Sequence, residues 1–406
     1  MKFLPIVLAL LPVFFSACSR DQGVSIARED HFTLDIGRLE DQLALYNLEG
    51  DRGISRSNIA MRDGLFYISD GNGQKILQYT SYGDLLFMIY NEETNPEPLT
   101  LRTNIEDSAV VTRWAFSYPL REPGHLAVDS RKHIYAEDRL PDDRYSIDGE
   151  SKALLDSIVL HFDQDGRFVE YLGREGIGGS PFPRISGIYT SLRDEIAVVC
   201  RLPTGWNIYW FDAAGTLLYL VQLKNSAVPV PPDWPKVSSS LDAIMAAPDS
   251  RTLYFKVDYY RDTFDESTNT RSGNEPDSSI IWIMDVETGS YTGRVEVPFL
   301  EYTFNENGRR VSAQVLYSML GAIREGRVFL SFPVESGYSI LILNADSSAG
   351  SGGDRHQGTI RVDKDELQLN TFDLSADGIL SALLVSNYEA KLVWWRTDKI
   401  LGIITP

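Results

Sequence analysis

The same pair of turns recurs about six times along this 406-residue chain, and that recurrence limits the fold more than any other feature. Each unit opens on a polar turn followed by an aromatic or β-branched run. Arg62-Asp63-Gly64 precedes Leu65-Phe66-Tyr67-Ile68, and Asp129-Ser130-Arg131-Lys132 precedes His133-Ile134-Tyr135. Leu192-Arg193-Asp194, Pro248-Asp249-Ser250, Arg324-Glu325-Gly326 and Ser375-Ala376-Asp377-Gly378 stand in the same place before later runs. Each unit then supplies a second strand pair around another turn. Val159-Leu160-His161-Phe162 leads into Asp163-Gln164-Asp165-Gly166, and Ile208-Tyr209-Trp210-Phe211 into Asp212-Ala213-Ala214-Gly215. Short apolar runs bounded by Asp, Asn and Gly are the signature of strands and hairpins, and sustained helical periodicity is almost absent.

Two hairpin turns per unit specify four-stranded antiparallel sheets in series. One such sheet cannot cover both of its own faces, whereas radial repetition covers both and leaves only short edges. The expected fold is all-β: a six-bladed β-propeller of four-stranded antiparallel blades. Two separate β-sandwiches would not explain why one turn pair recurs throughout. Phe32-Thr33-Leu34-Asp35-Ile36-Gly37 is a strand without a hairpin partner, and it is expected to close the ring by pairing with the 390–403 region. The division is then 1–17 as a leader, 18–30 as a flexible tether and 31–406 as one propeller domain.

Two stretches carry family resemblances. Ile68-Ser69-Asp70-Gly71-Asn72-Gly73-Gln74-Lys75-Ile76-Leu77-Gln78-Tyr79, with Tyr82-Gly83-Asp84 after it, resembles an NHL repeat. Later units keep the layout but not that signature. Met1-Lys2, an apolar run from Phe3 to Phe15, and Ser16-Ala17-Cys18 resemble a bacterial lipoprotein signal. The run is shorter than the roughly 20 residues a membrane span needs, and it ends in small residues as a cleavage site does. Phe15 stands where Leu is the commoner residue, a looseness shared with spirochaete lipoproteins, and the whole chain is similar in plan to their six-bladed propellers. The resemblance implies that Cys18 is acylated and becomes the mature N-terminus. It implies a bacterial cell-envelope address, periplasmic or surface-exposed, with the membrane reached through the lipid anchor.

Charge and cysteine usage narrow the partners. The net charge is −19, which repels phosphate backbones and anionic headgroups, so nucleic acid is not an expected partner. Of two cysteines, lipidation consumes Cys18 and leaves Cys200 in the apolar run Ala197-Val198-Val199-Cys200, read as a buried strand cysteine. No disulfide framework is available, and the core alone must hold the fold.

Long irregular segments fall where one face of a propeller carries its connections: Arg139–Asp156 and Arg261–Ser279 within blades, and Asn91–Pro123, Lys224–Ser240, Pro298–Ala313 and Ser347–Glu366 between them. Loops on one side of a rigid scaffold commonly carry binding. Here they are acidic and aromatic. The candidate binding face comprises Glu137, Asp138, Asp142 and Asp143 in one segment and Asp258, Tyr259, Tyr260 and Asp262 at another. These suit a protein or glycan partner, with Trp210 and Trp282 expected between blades. No catalytic residues and no cofactor are assigned. The alternative is a Ca²⁺-dependent propeller hydrolase or lyase with carboxylates at the axial mouth. The five histidines, His31, His125, His133, His161 and His356, show no metal-ligand spacing, and no nucleophile elbow, phosphate loop or dinucleotide fingerprint is present. The expected role is a non-catalytic, membrane-anchored binding or scaffold module. Cys18→Ser is predicted to shift the protein from the membrane to the soluble fraction and abolish palmitate labelling; unchanged partitioning would refute the anchor.

Overall fold

The computed structural model describes residues 24–46, 56–103, 113–173, 179–232, 234, 237–265, 267–306, 309–345 and 355–401. The leader, Cys18 and the Ser/Gly-rich segment 347–353 lie outside the described residues. Six sheets of at least four strands follow one another, each antiparallel through its four principal strands. The first blade is Asn58–Arg62, Leu65–Asp70, Lys75–Thr80 and Leu85–Tyr90; the second is Leu126–Val128, Ile134–Arg139, Ser157–Phe162 and Phe168–Tyr171. The third is Ile185–Thr190, Ile196–Leu202, Gly205–Phe211 and Leu217–Lys224. The fourth is Ser238–Ala246, Thr252–Phe264, Arg271–Asp285 and Ser290–Val297, and the fifth is Ser318–Ile323, Arg327–Val334, Gly337–Asn344 and Arg355–Arg361. Leu369–Leu374, Leu380–Val385, Glu389–Trp395 and the N-terminal Arg28–Asp35 make the sixth. The first strand of each blade touches the first strand of the next, and the sixth touches the first, so the ring is closed.

Packing follows from strand periodicity. Successive side chains point to opposite faces, and both faces of a blade meet a neighbour. Phe66 and Ile68 pack toward the sixth blade with Leu383 and Leu392, whereas Tyr67 between them packs toward the second with Leu126 and Ile134. One apolar cluster fills each of the six interfaces between neighbouring blades. Trp210 is buried in the cluster between the third and fourth blades, and Trp282 packs against it. Cys200 is fully buried between the second and third blades, and burial pushes its thiol pKa up. Both findings match the sequence reading.

The second turn is closed by its aspartate in the second, third and fourth blades, and by the Thr80 hydroxyl in the first. Asp212 Oδ1 accepts the backbone N–H of Ala214 at 2.9 Å and Thr216 at 2.8 Å, and Gly215 takes a φ of 76° that a side chain would oppose. Asp163 serves Asp165 and Arg167 in the same way.

Closure occurs where expected, with Phe32 opposite Leu392 and Asp35 opposite Glu389. The tether boundary is corrected, however. The chain is already a strand from Val24, well before Asp30: Val24–Ile26 adds in parallel to Gly358–Ile360 on the edge of the fifth blade. Gly358 permits this, since a Cβ there would stand 3.0 Å from the Val24 carbonyl oxygen and the Ile26 side chain. Trp114–Ser117 adds likewise in parallel to Phe87–Tyr90.

Three segments read as irregular are also corrected. Arg261–Ser279 continues the hairpin of the fourth blade out to Phe264 opposite Arg271, Leu300–Glu306 pairs with Arg309–Val315, and Arg355–Arg361 is the outer strand of the fifth blade. The outer half of the fourth-blade hairpin has solvent on both sides, so no apolar alternation marks it in sequence.

An ion pair fastens the closing strand. Arg28 donates from Nη1 at 2.5 Å and Nη2 at 2.8 Å to the two carboxylate oxygens of Glu366, and Lys391 Nζ donates to the same carboxylate at 3.2 Å. The Arg28 guanidinium is the main reason that the Glu366 pKa falls to about 2 from 4.5. A depressed carboxyl stabilises the fold above its unfolded pKa and loses that contribution as pH falls through its folded one. Glu366→Gln is therefore predicted to cost about 1–2 kcal/mol at pH 7, discounted for the partly exposed arginine. The deficit should shrink as pH falls from 4.5 toward 2, read by urea unfolding along that range.

Candidate ligand-binding cleft

On the face that carries the long connections, the second and third blades enclose a cleft of about 700 Å³. Its wall includes Arg56, Glu122, His125, Arg139, Asp156, Arg184 and Arg201. Their positions follow from strand ends. Arg139 ends a strand of the second blade, and Asp156 immediately precedes the strand paired with it. Arg184 precedes the first strand of the third blade. Arg201 lies on its second strand and donates its backbone N–H to the Arg184 carbonyl at 2.9 Å.

The carboxylates in and under the cleft are already engaged. Arg139 donates to Glu122 at 2.7 Å and to Asp156 at 2.5 Å. Glu137 is fully buried beneath them, where its carboxylate accepts from Arg56 Nη2, from the His125 backbone N–H at 3.1 Å and from the Ser157 hydroxyl at 3.3 Å. Arg56 Nη1 is buried without a hydrogen-bond partner among the described residues. Asn58 Nδ2 donates to His125 Nδ1 at 3.3 Å, which places the ring proton on Nε2, and burial lowers the His125 pKa. Arg184 and Arg201 are exposed and have no carboxylate partner among the described residues; Arg201 lies over the Trp206 ring at 5.5 Å. The charged side chains of this cleft that lack an ion-pair partner among the described residues are thus arginines.

The acidic and aromatic residues expected to form the binding face do not converge. Glu137 is buried as described, and Asp138, 2% exposed, accepts the backbone N–H groups of Arg121 at 3.1 Å and Glu122 at 2.8 Å. Burial pushes the Asp138 pKa up to about 6. Asp142 and Asp143 are exposed on a single 3₁₀ turn of the second blade. On the fourth blade, Asp258 is bonded at 2.7 Å by Lys256, which is itself fully buried. Tyr259 is fully buried, donating to the Pro229 carbonyl at 2.5 Å and accepting from Trp282 Nε1 at 2.9 Å. This overturns its place on a binding surface, because a phenol packed against Trp234 and Trp282 presents no free face. Tyr260 is half-buried, and Asp262 is exposed and paired with Arg271 at 2.7 Å.

Nor do these residues fit a calcium ion. Among the described residues no three His, Cys, Asp or Glu side chains gather closely enough to hold a metal ion, and a calcium site needs six to eight oxygens. His133 and His161, far apart in sequence, meet with Nδ1 and Nε2 at 2.8 Å, a hydrogen-bonded pair without a third ligand.

The sequence reading missed Arg56, His125, Arg184 and Arg201. One signal was present: Arg184 and Arg201 flank the Leu192–Asp194 turn at nearly equal spacing, and the bulge between Ile185 and Gly187 shifts the register so that Arg201 meets Arg184.

No protein-family model matches the chain, and no curated protein matches it. Among solved structures it is similar to a streptogramin B lyase, at 13% identity and a TM-score of 0.37 over 91% of this chain and 98% of that one. It is similar to a gluconolactonase from Xanthomonas campestris, at 13% identity and a TM-score of 0.37 over 92% and 97%. A third is the β-propeller domain of the Trilobed protease from Pyrococcus furiosus, at 10% identity and a TM-score of 0.39 over 85% and 95%.

The buried Arg56–Glu137 pair generates a stability prediction. Arg56→Ala leaves a buried carboxylate without its cation and is predicted to cost about 2–3 kcal/mol, below the roughly 3–5 kcal/mol of a fully buried pair because the Arg56 side chain is partly exposed. Arg56→Met combined with Glu137→Gln should recover more than half of that loss in denaturant unfolding, because the stranded charge is gone.

Proposed function

We propose that this chain is a lipid-anchored binding protein of the bacterial envelope, whose propeller holds an anionic partner in the cleft between the second and third blades. The reading rests on one observation: Arg184 and Arg201 stand side by side without carboxylate partners, on a cleft whose own carboxylates are taken. Neighbouring like charges on paired strands cost stability. A ligand carboxylate, sulfate or phosphate offsets that cost and accepts two guanidinium forks. The His125 N–H adds a donor beside them. The volume suits a few sugar rings or a short acidic peptide segment, and glycan is the partner favoured, because donors and the apolar stems of arginine together match an acidic sugar.

The overall charge of −19 opposes anions at long range, so recognition depends on this local cluster and weakens in salt. Cys18, acylated, would hold the propeller at the membrane surface while leaving the cleft free.

The test is a panel of oligosaccharides, half of them uronic-acid-containing or sulfated and half neutral, applied to the wild type and to Arg184→Glu combined with Arg201→Glu. Retention of acidic members only, lost at least tenfold in the variant with its melting temperature unchanged, is the expected result. Equal retention of neutral members, or no effect of charge reversal, would sink the reading.

A further inference from the structure

At the opposite face, where the tight first turns lie, the inner strand ends of all six blades enclose an axial well of about 450 Å³. That is within the size range of small-molecule sites and far too small for a macromolecule. Asp373, near the end of the first strand of the sixth blade, stands in its wall and is partly exposed to it. Its Oδ2 accepts the Met61 backbone N–H at 2.8 Å across the junction with the first blade. A carboxylate accepts about four hydrogen bonds, and this one has a single partner among the described residues.

The surrounding charges leave Asp373 alone. Arg324 is bound to Asp377 at 3.0 Å and Arg396 to Asp398 at 2.6 Å. Arg62 and Asp63 also line the well, and the Tyr189 hydroxyl donates to the Ile244 carbonyl at 3.4 Å. None of these forms an ion pair with Asp373. Burial pushes its pKa up to about 6, opposed only by the Met61 hydrogen bond. An anion would meet an uncompensated carboxylate here. A divalent metal would find one carboxylate where it needs several.

We propose that the axial well binds a small organic cation, with a primary ammonium group seated on the Asp373 carboxylate and the carbon chain against Ile379 and Trp394. The ligand supplies the countercharge that the protein withholds, and the negative net charge favours its approach. Binding requires the ionised carboxylate. It is therefore full above the Asp373 pKa and falls about tenfold for each pH unit below it.

The experiment is calorimetric titration of the whole protein with putrescine at pH 7.5 and pH 5.0. The expected result is binding at pH 7.5 and about tenfold weaker binding at pH 5.0, with proton release when the titration is run near pH 6. Asp373→Asn keeps an oxygen for the Met61 N–H and should lose at least tenfold in affinity at pH 7.5. The wild-type pH dependence stands as an independent readout should that variant fold poorly. Absence of binding at millimolar putrescine, equal affinity at the two pH values, or an unchanged affinity in Asp373→Asn would each overturn the proposal. Charge reversal at Arg184 and Arg201 lies on the other face and should leave putrescine binding unchanged.

Discussion

A four-stranded blade presents two apolar faces, and here each is covered because another blade of the same chain stands beside it. The junction of the sixth and first blades shows the magnitude involved. Leu34, Ile59, Phe66, Ile68, Leu77, Leu383 and Leu392 are buried there. At about 2 kcal/mol for each buried side chain, opening that one junction would cost about as much as the whole net stability of an ordinary domain. The N-terminal strand that completes the sixth blade is therefore part of the core, and Leu34 on that strand packs into the junction itself.

Ring closure also decides where polarity must go. Each inner strand pairs on one side only, so its other edge carries backbone groups that need partners at the axis. Neighbouring blades supply them: Asp373 receives Met61, Asp242 receives Met319 at 3.4 Å, and Thr190 donates to the Val128 carbonyl at 2.9 Å. At the outer rim of the same face, Ser130 bonds Asp194 and Glu325 bonds Asp249. Where the partner is a carboxylate without a cation, the latch leaves a charge in the axial well. On the other face the long connections bury Glu137 under Arg56 and leave two arginines uncovered. Both candidate sites are thus products of the same geometry, one holding a carboxylate without a cation and the other two arginines without carboxylates.

What could be read before folding, and what could not, separates along a physical line. The turn at Asp212–Gly215, the strand at Leu65–Ile68 and the closing strand at Phe32 carry local chemistry: an aspartate that bonds its own turn, or apolar residues that must be buried. The hairpin at Arg261–Ser279 carries none, because solvent lies on both of its sides and polar residues serve equally as strand or loop. The burial of Glu137, Asp138 and Tyr259 was illegible for a related reason. A carboxylate in a sequence looks the same whether it faces water, as Asp142 does, or is buried on two backbone N–H groups, as Asp138 is. Tyr259 and Tyr260 are adjacent, yet strand alternation turns the first fully inward and leaves the second half-exposed.

By itself the sequence determined the blade number, the pairing of the doubly buried inner strands and the closing strand, because repeated turn chemistry and doubly buried strands are properties of neighbours in the chain. Only the tertiary structure decided which charges remain unpaired. Arg184 and Arg201 meet through hairpin register, Glu137 finds Arg56 across 81 residues, and Asp373 reaches Met61 only when the ring closes. Pairing at such separations depends on distances that no local pattern encodes, and it is the leftover charge, acid at the axis and base in the cleft, that gives each face its chemistry.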